Sequence, residues 1–157
     1  MGKATPFITF DGRGKEAVEF YVKTFKDGKV HSMDAWGPGG PVSEGSLIHA
    51  SFEVAGQPFR AMDVDGGFPL GEGFSIYVDC EDQAEVDHLW EVLSEGGEQQ
   101  PCGWLKDRYG VSWQIIPRAL PDLLAKAEGA RQQAVIEAML KMGKIIVADL
   151  EAAYDQG

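Results

Sequence analysis

The chain has 157 residues, 44% hydrophobic and 25% charged, a size and balance that fit one soluble globular domain with a sizeable core. Fourteen Lys and Arg against 25 Asp and Glu give a net charge of −11, which opposes binding to phosphate backbones and anionic membranes. No apolar run approaches the roughly 20 residues of a bilayer crossing, and Met1-Gly2-Lys3-Ala4-Thr5-Pro6 lacks the apolar segment of an export signal. A cytoplasmic location is therefore expected, with Cys80 and Cys102 as free thiols that behave as small hydrophobes.

In chain order, Phe7-Ile8-Thr9-Phe10 predicts a strand, and Asp11-Gly12-Arg13-Gly14 breaks it. Val18, Tyr21, Val22 and Phe25 recur at helical spacing, so a helix is expected over 15–25, stopped by Asp27-Gly28. Strands follow over 29–36, 46–54 and 57–63. Gly37-Pro38-Gly39-Gly40-Pro41 separates the first two as a loop, and Ala55-Gly56 joins the last two as a tight hairpin. A further strand is predicted over 74–80. Asp82 and Glu85 then form a D-x-x-E cap ahead of a helix whose stripe is Val86, Leu89, Trp90 and Leu93. Gly96-Gly97 stops it. Short strands are expected over 98–100, 103–106 and 111–116, the last two joined by Asp107-Arg108-Tyr109-Gly110. Beyond Pro117 the pattern turns helical, over 120–127 and 130–153, with Gly143 as a potential break. This tail carries Val135, Ile136, Met139, Leu140, Val147, Leu150 and Tyr154 on its stripe, which must bury itself on its own sheet or on a second subunit; much of Ile136, Met139, Leu140, Val147 and Leu150 is expected to cover a neighbouring subunit or the seam between subunits.

The same passage occurs twice, 68 residues apart. Ile8 aligns with Ile76, Asp11 with Asp79, Val18 with Val86, Phe25 with Leu93 and Gly28 with Gly96, without a gap. Two copies imply two similar modules packed around a cleft rather than a solenoid. The expected fold is α+β: two β-α-β-β-β modules, at about 5–65 and 72–117, forming a curved mixed sheet around the cleft, plus a helical tail at about 118–157, all in one domain spanning 1–157.

Motifs with chemical content are few. Gly12-x-Gly14-Lys15 lacks the spacing of a phosphate loop and reads as a plain strand-to-helix turn. Helices do not separate successive strands, as a Rossmann-type nucleotide site requires. Asp63-Val64-Asp65-Gly66-Gly67 begins like a calcium loop but lacks the later ligands, so a solvated turn is expected. Of the histidines, His88 falls at the edge of a helix stripe, and His31 and His49 lie on strands. Alternation over 47–54 puts Leu47, His49, Ser51 and Glu53 on one face and Ile48, Ala50, Phe52 and Val54 on the other, the all-apolar face meeting the helix. Ile8, Phe10, Ile76 and Val78 should likewise face helices, and Thr5, Phe7, Thr9, Gly73, Ser75 and Tyr77 the cleft. Trp113 and Ile115 should be buried while Gln114 points into the cleft. The resulting lining is apolar with hydroxyl and amide groups and little charge, which suits a small, mostly neutral ligand. It offers neither paired carboxylates nor a Ser-His-Asp set.

The double β-α-β-β-β plan resembles the vicinal oxygen chelate superfamily of glyoxalase I, extradiol dioxygenases and bleomycin-resistance proteins. Thr5-Pro6-Phe7-Ile8-Thr9-Phe10-Asp11-Gly12, Phe52-Glu53-Val54-Ala55-Gly56-Gln57-Pro58-Phe59, Val86-Asp87-His88-Leu89-Trp90 and the stretch from Cys102-Gly103-Trp104 to Ser112-Trp113-Gln114 resemble its PhnB-like branch, also labelled 3-demethylubiquinone-9 3-methyltransferase-like. No residue pattern in the chain supports methyl transfer. The superfamily's metal ligands would fall, by this resemblance, at Thr5 or Pro6, Gly73, His49 and Gln114. Only His49 is an ordinary ligand, too few for a divalent site. The resemblance thus implies no metal and no cofactor, a homodimer, and a small-molecule ligand held by Thr9, His49, Ser51, Tyr77, Trp104 and Gln114, in the manner of a binding or sequestering protein. The alternative is a glyoxalase- or dioxygenase-like enzyme with a partial or unrecognised metal site. Nucleic acid and membrane are not expected partners.

Overall fold

The structure is a computed structural model that describes residues 2–157. The chain forms two compact units, Met1–Pro69 and Leu70–Gly157, each with its own four-stranded sheet.

In the first unit the strands are β1 (Phe7–Phe10), β2 (Lys29–Ala35), β3 (Leu47–Val54) and β4 (Gln57–Asp63), in the order β1-β4-β3-β2. β1 runs parallel to β4, and the other pairs are antiparallel. Helix α1 (Gly14–Thr24) makes the crossover from β1 to β2. Its buried face, Ala17, Val18 and Tyr21, meets Ile8, Phe10, Ala50, Phe52, Phe59 and Ala61. Phe52 and Phe59 stack with ring centroids 5.5 Å apart, and Tyr21 stacks on Phe52 at 6.3 Å. Each such ring contributes about 1.5–3 kcal/mol through burial.

Alternation on β3 holds for Ala50, Phe52 and Val54, all buried, but fails at its start. Leu47 is buried and Ile48 is 40% exposed, the reverse of the expected faces. The cause is a bulge: Asp34 pairs with His49 and Ala35 with Leu47, leaving Ile48 as an extra residue that flips the phase.

The start of α1 has no side-chain cap of its own. Asp63, buried at the end of β4, supplies the acceptor instead. Its Oδ1 accepts from the Gly14 N–H at 2.9 Å and its Oδ2 from the Leu47 N–H at 2.6 Å. A Cβ on Gly14 would lie 2.9 Å from Asp63 Oδ1, so the close approach requires glycine. The expected solvated turn is thereby corrected for its first residue: Asp63 ties helix to sheet. The Ala55-Gly56 hairpin is present, both residues at positive φ, and Asp27 accepts from both of their N–H groups at 2.9 and 2.8 Å.

The second unit repeats the plan with β5 (Ile76–Cys80), α2 (Gln83–Ser94), β6 (Glu98–Gln99), β7 (Trp104–Lys106) and β8 (Ser112–Pro117), in the order β5-β8-β7-β6. Val18 and Val86 occupy equivalent places, as do Phe25 and Leu93, and all four are buried. Asp82 caps α2 as its sequence predicts, accepting from Glu85 N–H at 2.9 Å. The Glu85 carboxylate reaches the N–H of Glu81, one residue earlier than a standard capping box. Trp113 and Ile115 are buried on the helix side. The indole N–H of Trp113 donates to Asp107 Oδ2 at 2.9 Å, while Asp107 Oδ1 accepts from the N–H groups of Tyr109 and Val111.

The tail forms α3 (Ala119–Lys126), α4 (Ala130–Leu140) and α5 (Val147–Gln156). It folds back on its own unit. Ile116, Leu120, Leu123, Val135, Ile145 and Leu150 form one buried cluster, with Leu124, Met139, Met142 and Tyr154 packed against it. Backbone bonds from Cys102 and Gly103 N–H to the Met142 and Gly143 carbonyls, and both ends of the Gln83 amide on residues 145 and 147, fasten the segment between α4 and α5. The expectation that much of the stripe covers a neighbouring subunit is therefore corrected for Met139 and Leu150. Ile136 and Leu140 remain exposed, Leu140 by 61%.

Replacing Asp63 by Ala leaves two buried N–H groups unpaired and should cost about 2–5 kcal/mol. Asp65→Ala in the same loop should stay within about 0.5 kcal/mol. Urea midpoints of the two variants check the contrast. Leu150→Ala should cost about 2–5 kcal/mol, because it opens a cavity in the tail cluster. An unchanged midpoint would place the tail away from the second unit.

Candidate functional site

Each sheet presents one face to its helix and leaves the other uncovered by that helix. On the first unit, cross-strand register brings the open-face residues into two rows. Phe7 pairs with Arg60, Arg60 with Ser51, and Ser51 with Ser32. Thr9 pairs with Met62, and His49 with Asp34. Three of the expected ligand-binding residues, Thr9, His49 and Ser51, thus share one surface, each partly buried. The Phe7 ring lies 6.3 Å from the His49 ring, and Arg60 Nη1 donates to His49 Nε2 at 3.4 Å. Arginine can only donate, so Nε2 acts as the acceptor in this contact.

Arg60 changes the expected character of this surface, which is not low in charge. Its strand could have shown this: Phe59, Ala61 and Asp63 are buried and Pro58, Arg60 and Met62 alternate with them, a period-two signal legible in the sequence.

On the second unit the other three expected residues form a single row: Tyr77 pairs with Gln114, and Gln114 with Trp104. Gln114 Nε2 donates to Ser75 Oγ at 2.9 Å, which orients the amide between the two aromatic side chains. Burial, and then the neighbouring Asp79 carboxylate, push the Tyr77 phenol up from its ordinary range. Charge is present here too. Lys106 Nζ lies 3.1 Å from Glu72 Oε1, to which Gln100 also donates, and the bond from Lys106 holds the Glu72 carboxyl below its usual value. Trp104 borders a shallow depression of about 500 Å³ with Glu72, Glu98, Gln100 and Pro101. The Ser112 hydroxyl, opposite Lys106, is enclosed without a hydrogen-bond partner. Ile116, two residues past Gln114 on the same face, already belongs to the tail cluster, so the tail bounds this row at one end.

Among the described residues, no three His, Cys, Asp or Glu side chains converge as a metal-ligand set, and no helix is long and apolar enough to cross a membrane. His31 pairs with Glu53 at 3.5 Å, and His88 is exposed on α2. Cys80 is buried, and burial with the nearby Glu85 and Asp79 carboxylates pushes its thiol up to about 12. At pH 8 its thiolate fraction is then on the order of one in ten thousand. Cys102 is half-buried, in the Pro101–Gly103 turn. Iodoacetamide at pH 8 should label Cys102 and leave Cys80 untouched until the chain unfolds. Peptide mapping before and after addition of guanidinium checks this.

Comparison with known proteins adds the family. The model of the 3-demethylubiquinone-9 3-methyltransferase family matches residues 2–116. A PhnB protein from Bacillus cereus, a candidate 3-demethylubiquinone-9 3-methyltransferase, is 34% identical, covers 74% of this chain and 99% of its own, and superposes with a TM-score of 0.70. Protein PA1353 from Pseudomonas aeruginosa is 25% identical over 74% of this chain and 98% of its own, with a TM-score of 0.64. The fosfomycin resistance protein FosX from Listeria monocytogenes, solved with Mn(II) and sulfate, is 13% identical over 71% of this chain and 88% of its own. Its TM-score of 0.50 shows a shared fold alone. No curated protein matches the chain. The match over residues 2–116, together with paired β-α-β-β-β units, shows that the chain belongs to the 3-demethylubiquinone-9 3-methyltransferase-like (PhnB) family.

Proposed function

We propose that this protein binds a small organic molecule on its open sheet faces and does so without a metal ion as anchor. The observation that carries the reading is the Tyr77–Gln114–Trp104 row. Two aromatic side chains flank an amide whose N–H is already oriented by Ser75, leaving its carbonyl oxygen to accept from a ligand. Flat apolar surface with one directional polar group is what a small-molecule site needs. Ligand binding by Thr9, His49 and Ser51 on the first sheet belongs to the same proposal.

The His49 surroundings support a metal-free site. The Nε2 lone pair faces the Arg60 guanidinium at 3.4 Å, and a second cation there would be repelled. By the resemblance, the superfamily's ligand positions fall on Thr5 or Pro6, Gly73, His49 and Gln114, and of these only His49 is an ordinary ligand type. Methyl transfer is disfavoured as well. The sheets are mixed, with antiparallel strands joined directly, and lack the helix-separated parallel strands of a Rossmann-type nucleotide site. The net charge of −11 disfavours nucleic acid and anionic membrane as partners. A homodimer built on exposed tail residues such as Ile136 and Leu140 completes the proposal, with light scattering as its check.

A metal bound only to the folded chain would raise stability by about 2.7 kcal/mol at a hundredfold excess over its dissociation constant. Thermal melts with zinc, nickel, manganese and iron(II) should show no such rise. A rise of several degrees that vanishes in His49→Ala would overturn the metal-free reading in favour of a metal-dependent enzyme. Native mass spectrometry should find an organic adduct, lost in Tyr77→Ala and Gln114→Ala.

A further inference from the structure

Arg60 occupies an unusual position for the cation it carries. It stands on β4, an inner strand of the first sheet, flanked by Phe7 on β1 and Ser51 on β3. The chain has 25 acidic residues, yet among the described residues no carboxylate lies within ion-pair distance of this guanidinium. The acidic groups nearest by register are otherwise placed. Glu53 pairs with His31 at 3.5 Å, and Asp34 is exposed on the edge strand opposite His49. Among the described residues, the one polar contact of the Arg60 side chain is with the imidazole of His49, through Nη1. That contact fixes one arm of the fork and leaves the other N–H groups to a ligand. Phe7, 49% exposed and 6.3 Å from the His49 ring, supplies flat apolar surface beside the charge. Thr9 and Ser51 add hydroxyl groups on the same face.

A guanidinium fork recognises a planar, two-oxygen anion best, and the carboxylate is the commonest of these. We infer that Arg60, His49 and Phe7 form a carboxylate subsite on the first sheet, and that the ligand is an aromatic or similarly flat organic acid whose carboxylate meets Arg60 and whose ring lies along Phe7. This rests on the proposed small-molecule binding and narrows it from a mostly neutral ligand to an acid. It also explains how a strongly acidic protein can hold an acid: the local charge at this patch opposes the global one.

The test compares two acids, benzoate and indole-3-acetate, with their neutral amides, benzamide and indole-3-acetamide, which keep the shape and lose the charge. Titrations followed by amide chemical shifts on the full chain report both affinity and location. The expected result is that at least one acid binds at least tenfold more tightly than its amide, with shifts at Phe7, Thr9, Ser51 and Arg60. Arg60→Met should lower the affinity for the acid at least tenfold and that for the amide much less, so that the preference for the acid is lost. Arg60→Lys, which keeps the charge but not the fork, should fall between. Arg60 is exposed, so both variants should keep the parent melting temperature, and this is measured alongside. Acids and amides that bind equally, or an Arg60→Met variant that binds the acid undiminished, would overturn the carboxylate subsite while leaving small-molecule binding in place. Absence of binding by all four probes on either sheet would overturn both.

Discussion

Two strands that run parallel cannot be joined by a tight turn, and that constraint shapes the whole molecule. β1 lies parallel to β4, and β5 parallel to β8, so in each unit the chain must leave the first strand, cross the sheet and return. The crossover is a helix, and the helix must bury an apolar stripe. One face of each sheet is therefore taken by α1 or α2, and the opposite face is left to side chains that need not be apolar. The candidate site is a consequence of this arrangement rather than an addition to it.

Buried carboxylates do the joining that helix propensity alone would not. α1 begins without a side-chain cap, and Asp63 reaches from the end of β4 to bond the Gly14 N–H while also bonding Leu47. Asp107 plays a comparable part in the second unit, closing its own turn and anchoring the Trp113 indole. Each satisfies N–H groups that would otherwise be buried unpaired, which costs more than an ordinary hydrogen bond yields. The two residues are not counterparts in the repeat, so the units have solved the same problem at different places.

The units also differ in reach. β2 and β3 span Lys29–Ala35 and Leu47–Val54, whereas β6 and β7 span Glu98–Gln99 and Trp104–Lys106. The shorter sheet leaves apolar surface at Ile116 that the tail covers with Leu120, Val135, Ile145 and Leu150. Membership of the PhnB family fixes this chain's fold and kin, while the chemistry at its open faces follows from its own residues: an oriented amide between aromatic rings on one sheet, and a guanidinium beside an imidazole on the other.

By itself the sequence determined the repeat, both amphipathic helices, the cap at Asp82 and the tight hairpins, because each depends on neighbours within a few residues or on a fixed period. It also carried the alternation that puts Thr9, Tyr77 and Gln114 opposite the helices, since strand side chains must point to opposite faces. Only the tertiary structure decided the features that depend on distant pairing. The extra residue at Ile48 reverses the faces of Leu47 and Ile48, and nothing local marks a bulge whose cause is register with β2. The Asp63 contact to Gly14 joins positions 49 apart. The placing of Arg60 beside His49 depends on the β3–β4 register. An amphipathic tail shows from its pattern that it must bury a face, but the surface it buries against is set by what the rest of the chain leaves uncovered.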